Sequence, residues 1–121
     1  MKTEETSFRH GSMKFYPIGS APLKPVSHDP QLRKRVLVEE RVSCVGNLSH
    51  IVLAPGDTAV THAHNDAHEV FYCIEGGVVF GVEGTEVTVR GGDCLVVEPE
   101  EVHSIERVLE ETRLLYFFAF C

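Results

Sequence analysis

Short runs of hydrophobic residues that alternate with polar ones begin at Met13 and are separated by Gly, Pro, Asp and Asn. Runs of this length, rich in β-branched and aromatic residues, are typical of β-strands. Helical spacing is nearly absent: only residues 29–37 carry a weak version of it, which predicts one short helical turn near Pro30. The pattern predicts strands at residues 14–16, 35–38, 48–53, 69–74, 78–82, 86–89, 94–97, 105–108 and 113–120.

Turn-forming residues separate these strands at intervals that suit hairpins in a β-sandwich or a closed barrel. They lie at Pro55-Gly56-Asp57, Gly76-Gly77, Glu83-Gly84 and Gly91-Gly92-Asp93. Upstream, four prolines between Pro17 and Pro30 indicate an extended segment that precedes the barrel. We therefore predict an all-β barrel over residues 31–121, preceded by a partly flexible N-terminal arm and loop over residues 1–30.

Composition and charge narrow the possible partners. With 121 residues, of which 43% are hydrophobic and 24% charged, the chain resembles one ordinary globular domain. Its net charge of −7 would repel a phosphate backbone. No apolar run approaches the roughly 20 residues that cross a bilayer, and the N-terminus lacks the apolar stretch of a signal peptide. We expect a cytoplasmic protein that binds neither nucleic acid nor membrane.

Several residues receive no functional interpretation from the sequence. The basic triplet Arg33-Lys34-Arg35 runs straight into an apolar segment, which favours the solvated start of a strand. The cysteines are widely spaced without a CxxC pair, so free thiols are expected at Cys44, Cys73, Cys94 and Cys121. Three histidines lie apart from any motif: His10, His28 and His50.

The candidate chemistry lies in three histidines and one glutamate. His62 and His64 are two residues apart, so on an extended strand both imidazoles point to the same face. Glu69 and His103 each precede a further apolar run, and if all these faces point inward, four donors meet inside the barrel. Three nitrogens and one oxygen suit one divalent ion of Zn, Mn, Fe, Ni or Co and leave coordination positions open. His68 has the opposite parity and is placed outside the coordination shell, unless a β-bulge reverses it.

The spacing of these ligands resembles the two sequence motifs of the cupin family. The stretch Gly56-x5-His62-x-His64-x4-Glu69-x6-Gly76 matches the first motif at every defined position. The stretch Gly92-x5-Glu98-x-Glu100-x2-His103-x3-Arg107 keeps the spacing, the first glycine and the metal histidine of the second. It departs from the usual Pro, Gly and Asn at Glu98, Glu100 and Arg107. The chain is thus similar to small single-domain bacterial cupins over about residues 45–120.

The resemblance implies a double-stranded β-helix, or jelly-roll, barrel that is usually a dimer. Cupin functions range from sugar-phosphate isomerases through dioxygenases and decarboxylases to non-catalytic sensors, so the fold alone decides little. One hypothesis is a metal-dependent isomerase, lyase or dioxygenase that acts on a small carbonyl or carboxylate compound. The other is a non-catalytic cupin that binds a small ligand as a sensor or accessory protein.

Inward-facing strand positions predict an apolar pocket beside the metal. Its expected wall consists of Phe71, Cys73, Val78, Phe80, Ile105, Leu115 and Phe117. Among these, the candidate ligand contacts are Phe71, Phe80 and Ile105. Arg107 shares the parity of His103 and, if inward, would anchor a carboxylate or phosphate, which makes the expected ligand an anion. The alternative for Arg107 is an exposed side chain paired with Glu106, Glu110 or Glu111.

Apolar residues on the outer face of the barrel predict a homodimer. Tyr72 and Tyr116 have the opposite parity to the pocket wall and are expected outside. Together with Ile74, Phe118 and Phe120 they form an excess of outward apolar side chains that a second subunit would cover.

Overall fold

Antiparallel strands account for most of the chain in the computed structural model, which describes residues 8–10 and 13–120. The strands are β1 (Phe8–His10), β2 (Met13–Phe15), β3 (Leu23–Val26), β4 (Asp29–Val38), β5 (Val45–Leu53), β6 (Ala59–His62), β7 (His68–Val82), β8 (Thr85–Arg90), β9 (Cys94–Val97) and β10 (His103–Ala119). A 3-10 helix spans Ile18–Ser20. Within the described ranges, no helix is long and apolar enough to cross a membrane.

The two longest strands, β7 and β10, organise the barrel. They pair with each other along most of their length, from His103 opposite Val82 to Ala119 opposite His68. The first half of β10 also pairs with β6, and its second half pairs with β5. The second half of β7 pairs with β8, and its first half pairs with β9. Each long strand therefore pairs with different neighbours along its two halves. The predicted all-β jelly-roll barrel is confirmed.

A bend in β7 lies where the sequence predicted a hairpin turn. Gly76 has a φ of +102°, and a Cβ atom there would lie 2.4 Å from the carbonyl oxygen of Glu111, so the bend requires glycine. The Thr112 hydroxyl accepts a hydrogen bond from the Gly77 N–H at 3.0 Å, which fixes the bend against β10. The predicted turn at Gly76-Gly77 is therefore wrong, because these glycines bend a continuous strand instead of ending it.

Register shifts in β10 decide which of its residues face the core. Ile105 lies opposite Phe80, but the register then skips Glu106 before Arg107 pairs with Val79. Such an irregularity reverses the alternation of inward and outward side chains. The buried residues further along the strand are accordingly even-numbered: Val108, Thr112, Leu114 and Tyr116.

This reversal corrects the predictions for the C-terminal strand. Tyr116 is only 7% exposed and belongs to the core, although the sequence placed it outside. Phe118, also expected outside, lines the interior cavity. Leu115 and Phe117, the predicted pocket wall, alternate with these residues and point to the other face. The prediction assumed that inward and outward side chains alternate strictly along the strand. The irregularity at Glu106 breaks that alternation.

Part of the predicted N-terminal arm belongs to the main sheet. β3 pairs with β4, with Lys24 opposite Lys34, so the predicted boundary between residues 30 and 31 falls inside β4. Pro30 lies at the second position of that strand, beside a register shift in the pairing of β3 with β4, where a missing N–H is tolerated. The predicted helical turn there is wrong. The start of the arm, residues 1–7 and 11–12, lies outside the described residues.

The cysteines follow the prediction only in part. Cys73 and Cys94 are free thiols. Cys44 is disulfide-bonded, so the expected free thiol is wrong there. Disulfide formation depends on which cysteines the fold brings together, and their spacing along the chain does not reveal this. Cys121 lies outside the described residues.

Candidate metal centre

The four predicted metal ligands come together inside the barrel. His62 ends β6, His64 lies in the following loop, Glu69 is the second residue of β7, and His103 opens β10. One donor atom from each residue lies within 4.8 Å of the others. Strand pairing creates the cluster, because His103 is the direct partner of His62 across β6 and β10. The set supplies three nitrogens and one oxygen, which suits a transition metal ion.

Oxygen Oε1 of Glu69 is the point on which two imidazoles converge. Nε2 of His103 lies 2.9 Å from it, and Nε2 of His64 lies 3.5 Å from it. Burial acts to lower the pKa of His103, but its hydrogen bonds with Glu69 and with the Glu101 carbonyl raise it above the ordinary value. Burial lowers the pKa of His64, with Glu69 acting in the opposite direction. The buried carboxylate thus favours positive charge at the centre of the cluster, as a cation site requires.

Backbone carbonyls orient two of the imidazoles. Nδ1 of His62 lies 3.0 Å from the carbonyl oxygen of Val60, and Nδ1 of His103 lies 3.2 Å from that of Glu101. A carbonyl oxygen only accepts hydrogen bonds, so each Nδ1 carries the proton and donates it. This arrangement leaves Nε2 as the ligand atom, and it is the usual way in which an outer contact fixes a metal-binding histidine.

An apolar cavity of about 150 Å³ adjoins the four donors, all of which line it. Its wall includes the three predicted ligand contacts, Phe71, Phe80 and Ile105. Further apolar wall residues are Leu32, Ile51, Leu114, Tyr116 and Phe118. The rings of Phe71 and Tyr116 stack with their centroids 5.3 Å apart. A polar cluster at the edge of an apolar cavity is the usual composition of a small-molecule site.

Several polar residues of the cavity were not identified from the sequence. They are Ser27, His28, Asp29, Lys34, Asn47 and Ser104. Lys34 shares the parity of buried Leu32 and Val36 on β4, so its position was a usable signal. The interpretation of its triplet as solvated is wrong for this residue. The ring of His28 lies 5.8 Å from that of His62, a contact made by the turn between β3 and β4. No local pattern marks that contact.

Asp29 connects this turn to the donor cluster. Its side chain is 2% exposed, and its carboxylate oxygens accept the Val60 N–H at 3.1 and 3.2 Å. Val60 is also the residue whose carbonyl orients His62. Asp29 therefore holds the short strand β6 in the position from which it presents its histidine.

The predicted anion anchor, Arg107, does not face the cavity. Its side chain is 55% exposed and donates two hydrogen bonds to the carboxylate of Glu86, at 2.9 and 3.1 Å. The hydrogen bond from Arg107 lowers the pKa of the Glu86 carboxyl. The register irregularity at Glu106 turns Arg107 outward, which corrects the sequence prediction. The exposed alternative holds for the position of the side chain, but its partner is Glu86 and not Glu106, Glu110 or Glu111.

His68 lies apart from the donor cluster. Its Nε2 is 3.0 Å from Oε1 of Glu98, an exposed glutamate in the loop before β10. The strand alternation placed His68 outside the coordination shell, and the cluster of four donors among the described residues does not include it.

Comparisons with known proteins agree with this geometry. The family model described as the cupin domain matches residues 49–120. TcmJ, a tetracenomycin polyketide synthase protein of Streptomyces glaucescens, is 39% identical over 61 residues, which are 50% of this chain and 41% of TcmJ. An oxalate-binding protein of Thermotoga maritima is 35% identical over 54 residues, 45% of each protein. The matched stretches thus span less than half the length of these curated relatives.

A solved structure extends the likeness to nearly the whole chain. It is a predicted oxalate decarboxylase from Thermotoga maritima, with a TM-score of 0.76 and 19% identity over 88% of this chain and 98% of that one. At this level of identity, the likeness concerns the fold.

Proposed function

The chain belongs to the cupin family, and we propose that it is a metal-dependent enzyme that acts on a small carbonyl or carboxylate compound. The observation that carries the proposal is the position of the four donors at the wall of an apolar cavity of about 150 Å³. A structural metal site is closed by protein ligands, whereas this donor set adjoins a space that a ligand can enter.

The chain's own residues have defined tasks in this proposal. His62, His64, Glu69 and His103 would hold one divalent ion of Zn, Mn, Fe, Ni or Co. Such an ion would polarise a carbonyl or carboxylate oxygen or, if it is iron, would activate dioxygen. The apolar wall excludes water and so strengthens each polar contact in the cavity. Neutral imidazoles and a single carboxylate leave a divalent ion with net positive charge, which favours an anionic ligand.

The test is metal analysis followed by an activity screen. Protein purified without chelator should contain about one transition metal ion per chain. It should turn over one class among sugar phosphates, keto acids, diketones and catechols, and oxygen consumption would identify a dioxygenase. The double variant His62→Ala with His103→Ala should lose both metal and turnover. Unchanged metal content in that variant, or turnover that survives metal loss, would contradict the proposal.

A second candidate is a non-catalytic protein that binds a small carboxylate. Similarity to an oxalate-binding protein over 45% of the chain favours it. Calorimetric titration of the metal-loaded chain with oxalate distinguishes the two candidates when combined with the screen. Metal-dependent binding without turnover of any compound class would favour the non-catalytic candidate.

A further inference from the structure

Lys34 reaches the cavity from β4. The flanking residues of the same parity, Leu32 and Val36, are 6% and 5% exposed, so this face of the strand points into the barrel. The direct partner of Lys34 across the sheet is Ile51, which is buried and also lines the cavity. The aliphatic stem of the lysine thus packs among core residues and carries its ammonium to the space beside the metal ligands.

Among the residues that the structure describes, none forms an ion pair with the ammonium of Lys34. Its Nζ lies 5.8 Å from the ring centroid of Tyr116, a cation–π distance. Within residues 8–10 and 13–120 it makes no hydrogen bond or ion pair, whereas the two other lysines described, Lys14 and Lys24, each pair with a glutamate. Burial lowers the pKa of Lys34, with Glu69 as the largest opposing influence. A half-buried cation without a counterion favours a bound anion.

The charges around the cavity add to this preference. A divalent ion, the carboxylate of Glu69 and the ammonium of Lys34 together leave two positive charges in one small apolar space. The chain as a whole carries a net charge of −7, so the interior has the opposite sign to the surface. A small dianion would neutralise the site.

We infer that Lys34 anchors the ligand of this cavity and that the ligand carries two anionic groups, one bound by the metal and the other by the Lys34 ammonium. The inference rests on the proposed metal site and specifies the substrate class of that site. It replaces Arg107, which the irregularity in β10 turns out of the barrel, with a cation that the cavity does contain.

Calorimetric titration of metal-loaded protein tests the inference, with malonate as the dianion and acetate as the single carboxylate. Lys34→Met keeps the length of the stem and removes the charge. We expect it to weaken malonate binding at least ten-fold, to change acetate binding less than about two-fold, and to leave metal content unaltered. Lys34→Arg should retain a larger part of the malonate affinity. Arg33→Met is the matched control, because it removes the same charge from the exposed face of the same strand and should change neither affinity.

The outcomes separate the two proposals. Equal malonate affinity in Lys34→Met and the wild type, with metal retained in both, would overturn the role of Lys34 and leave the metal site standing. An equal loss of malonate affinity in Arg33→Met would also overturn the role of Lys34, because the overall charge of the protein would then explain the effect. Wild-type protein that holds metal but binds acetate more tightly than malonate would refute the inference that the ligand carries two anionic groups. Wild-type protein that holds no metal would refute both proposals.

Discussion

Nε2 of His103 lies 2.9 Å from Oε1 of Glu69, and both side chains are almost fully buried. They stand on β10 and β7, which pair along most of their length, so the core of the barrel fixes their separation. His62 and His64 instead come from a four-residue strand and the loop after it. The site therefore has a rigid half and a peripheral half, and we expect mutations to affect the two halves differently.

Glu69→Gln tests the rigid half. Glutamine keeps the size of the side chain, but it lacks the charge that favours a metal ion. We expect metal affinity to fall at least about 100-fold in competition with a chromophoric chelator, more than the loss of an outer contact causes. Glu98→Gln, at the exposed partner of His68, is the control and should keep wild-type affinity. Undiminished affinity in Glu69→Gln would remove Glu69 from the ligand set.

Asp29→Ala tests the peripheral half. Without its carboxylate the Val60 N–H loses its partner, at a cost of about 1–3 kcal/mol in the free energy of unfolding. Because Val60 orients His62, we also expect metal affinity to fall about ten-fold. Asp93→Ala removes a similar bond, to the Arg90 N–H at 2.8 Å, and should lower stability without changing metal affinity. Equal metal affinity in Asp29→Ala would show that β6 is held by its pairing with β10 alone.

Metal binding should raise the thermal stability of the protein. An ion that binds only the folded chain adds about 2.7 kcal/mol when its free concentration is 100 times Kd. Scanning calorimetry of chelator-treated protein should therefore show a melting temperature several degrees higher after metal is added. The double variant His62→Ala with His103→Ala should show no such rise. A rise of equal size in that variant would place the bound ion elsewhere on the chain.

The cluster of four donors could be predicted because the positions of these residues depend on local geometry. His62 and His64 need only the alternation of an extended strand, and the motif spacing places Glu69 and His103 on further strands. Four residues beyond His103 the same reasoning fails. One residue skipped in the register between β10 and β7 turns Arg107 outward, and no local sequence signal marks that irregularity.

The polar residues of the cavity outside the motifs depend on the path of the chain. His28 and Asp29 approach the site because β3 and β4 form a hairpin beside β6. Lys34 was within reach of prediction, since its parity matches Leu32, but its charged neighbours suggested a solvated surface. The sequence thus predicted the four donors better than the other polar residues of the cavity.

Arg107→Met tests the corrected position of this arginine. Its guanidinium lowers the pKa of the Glu86 carboxyl, so its removal should raise that pKa towards the ordinary value in an NMR titration. A depressed carboxyl pKa adds stability above the unfolded-state pKa, and this contribution fades as the pH falls through the folded-state value. The variant should therefore lose less stability than the wild type as the pH falls through the folded-state pKa of Glu86. It should bind malonate with the affinity of the wild type. Weakened malonate binding in this variant would contradict the outward position of Arg107 and indicate that its side chain contacts the ligand.

The outer face of β7 and its neighbours is the basis for predicting a homodimer. Tyr72 and Ile74 are each 43% exposed, and Val96 on β9 is 48% exposed. Leu115 lies directly opposite Tyr72 on β10 and so shares this face. Exposed apolar side chains grouped in this way mark interaction surfaces.

Tyr72→Glu should therefore convert a dimer to a monomer, because a carboxylate buried in an apolar interface has no partner. Light scattering at micromolar concentration measures the change, and far-UV circular dichroism separates dissociation from unfolding. Leu109→Glu is the control: this leucine is 46% exposed on the part of β10 that precedes its pairing with β5, and its replacement should leave the dimer intact. A monomeric wild-type protein would contradict the prediction, and a dimeric Tyr72→Glu variant would move the interface to another face of the barrel.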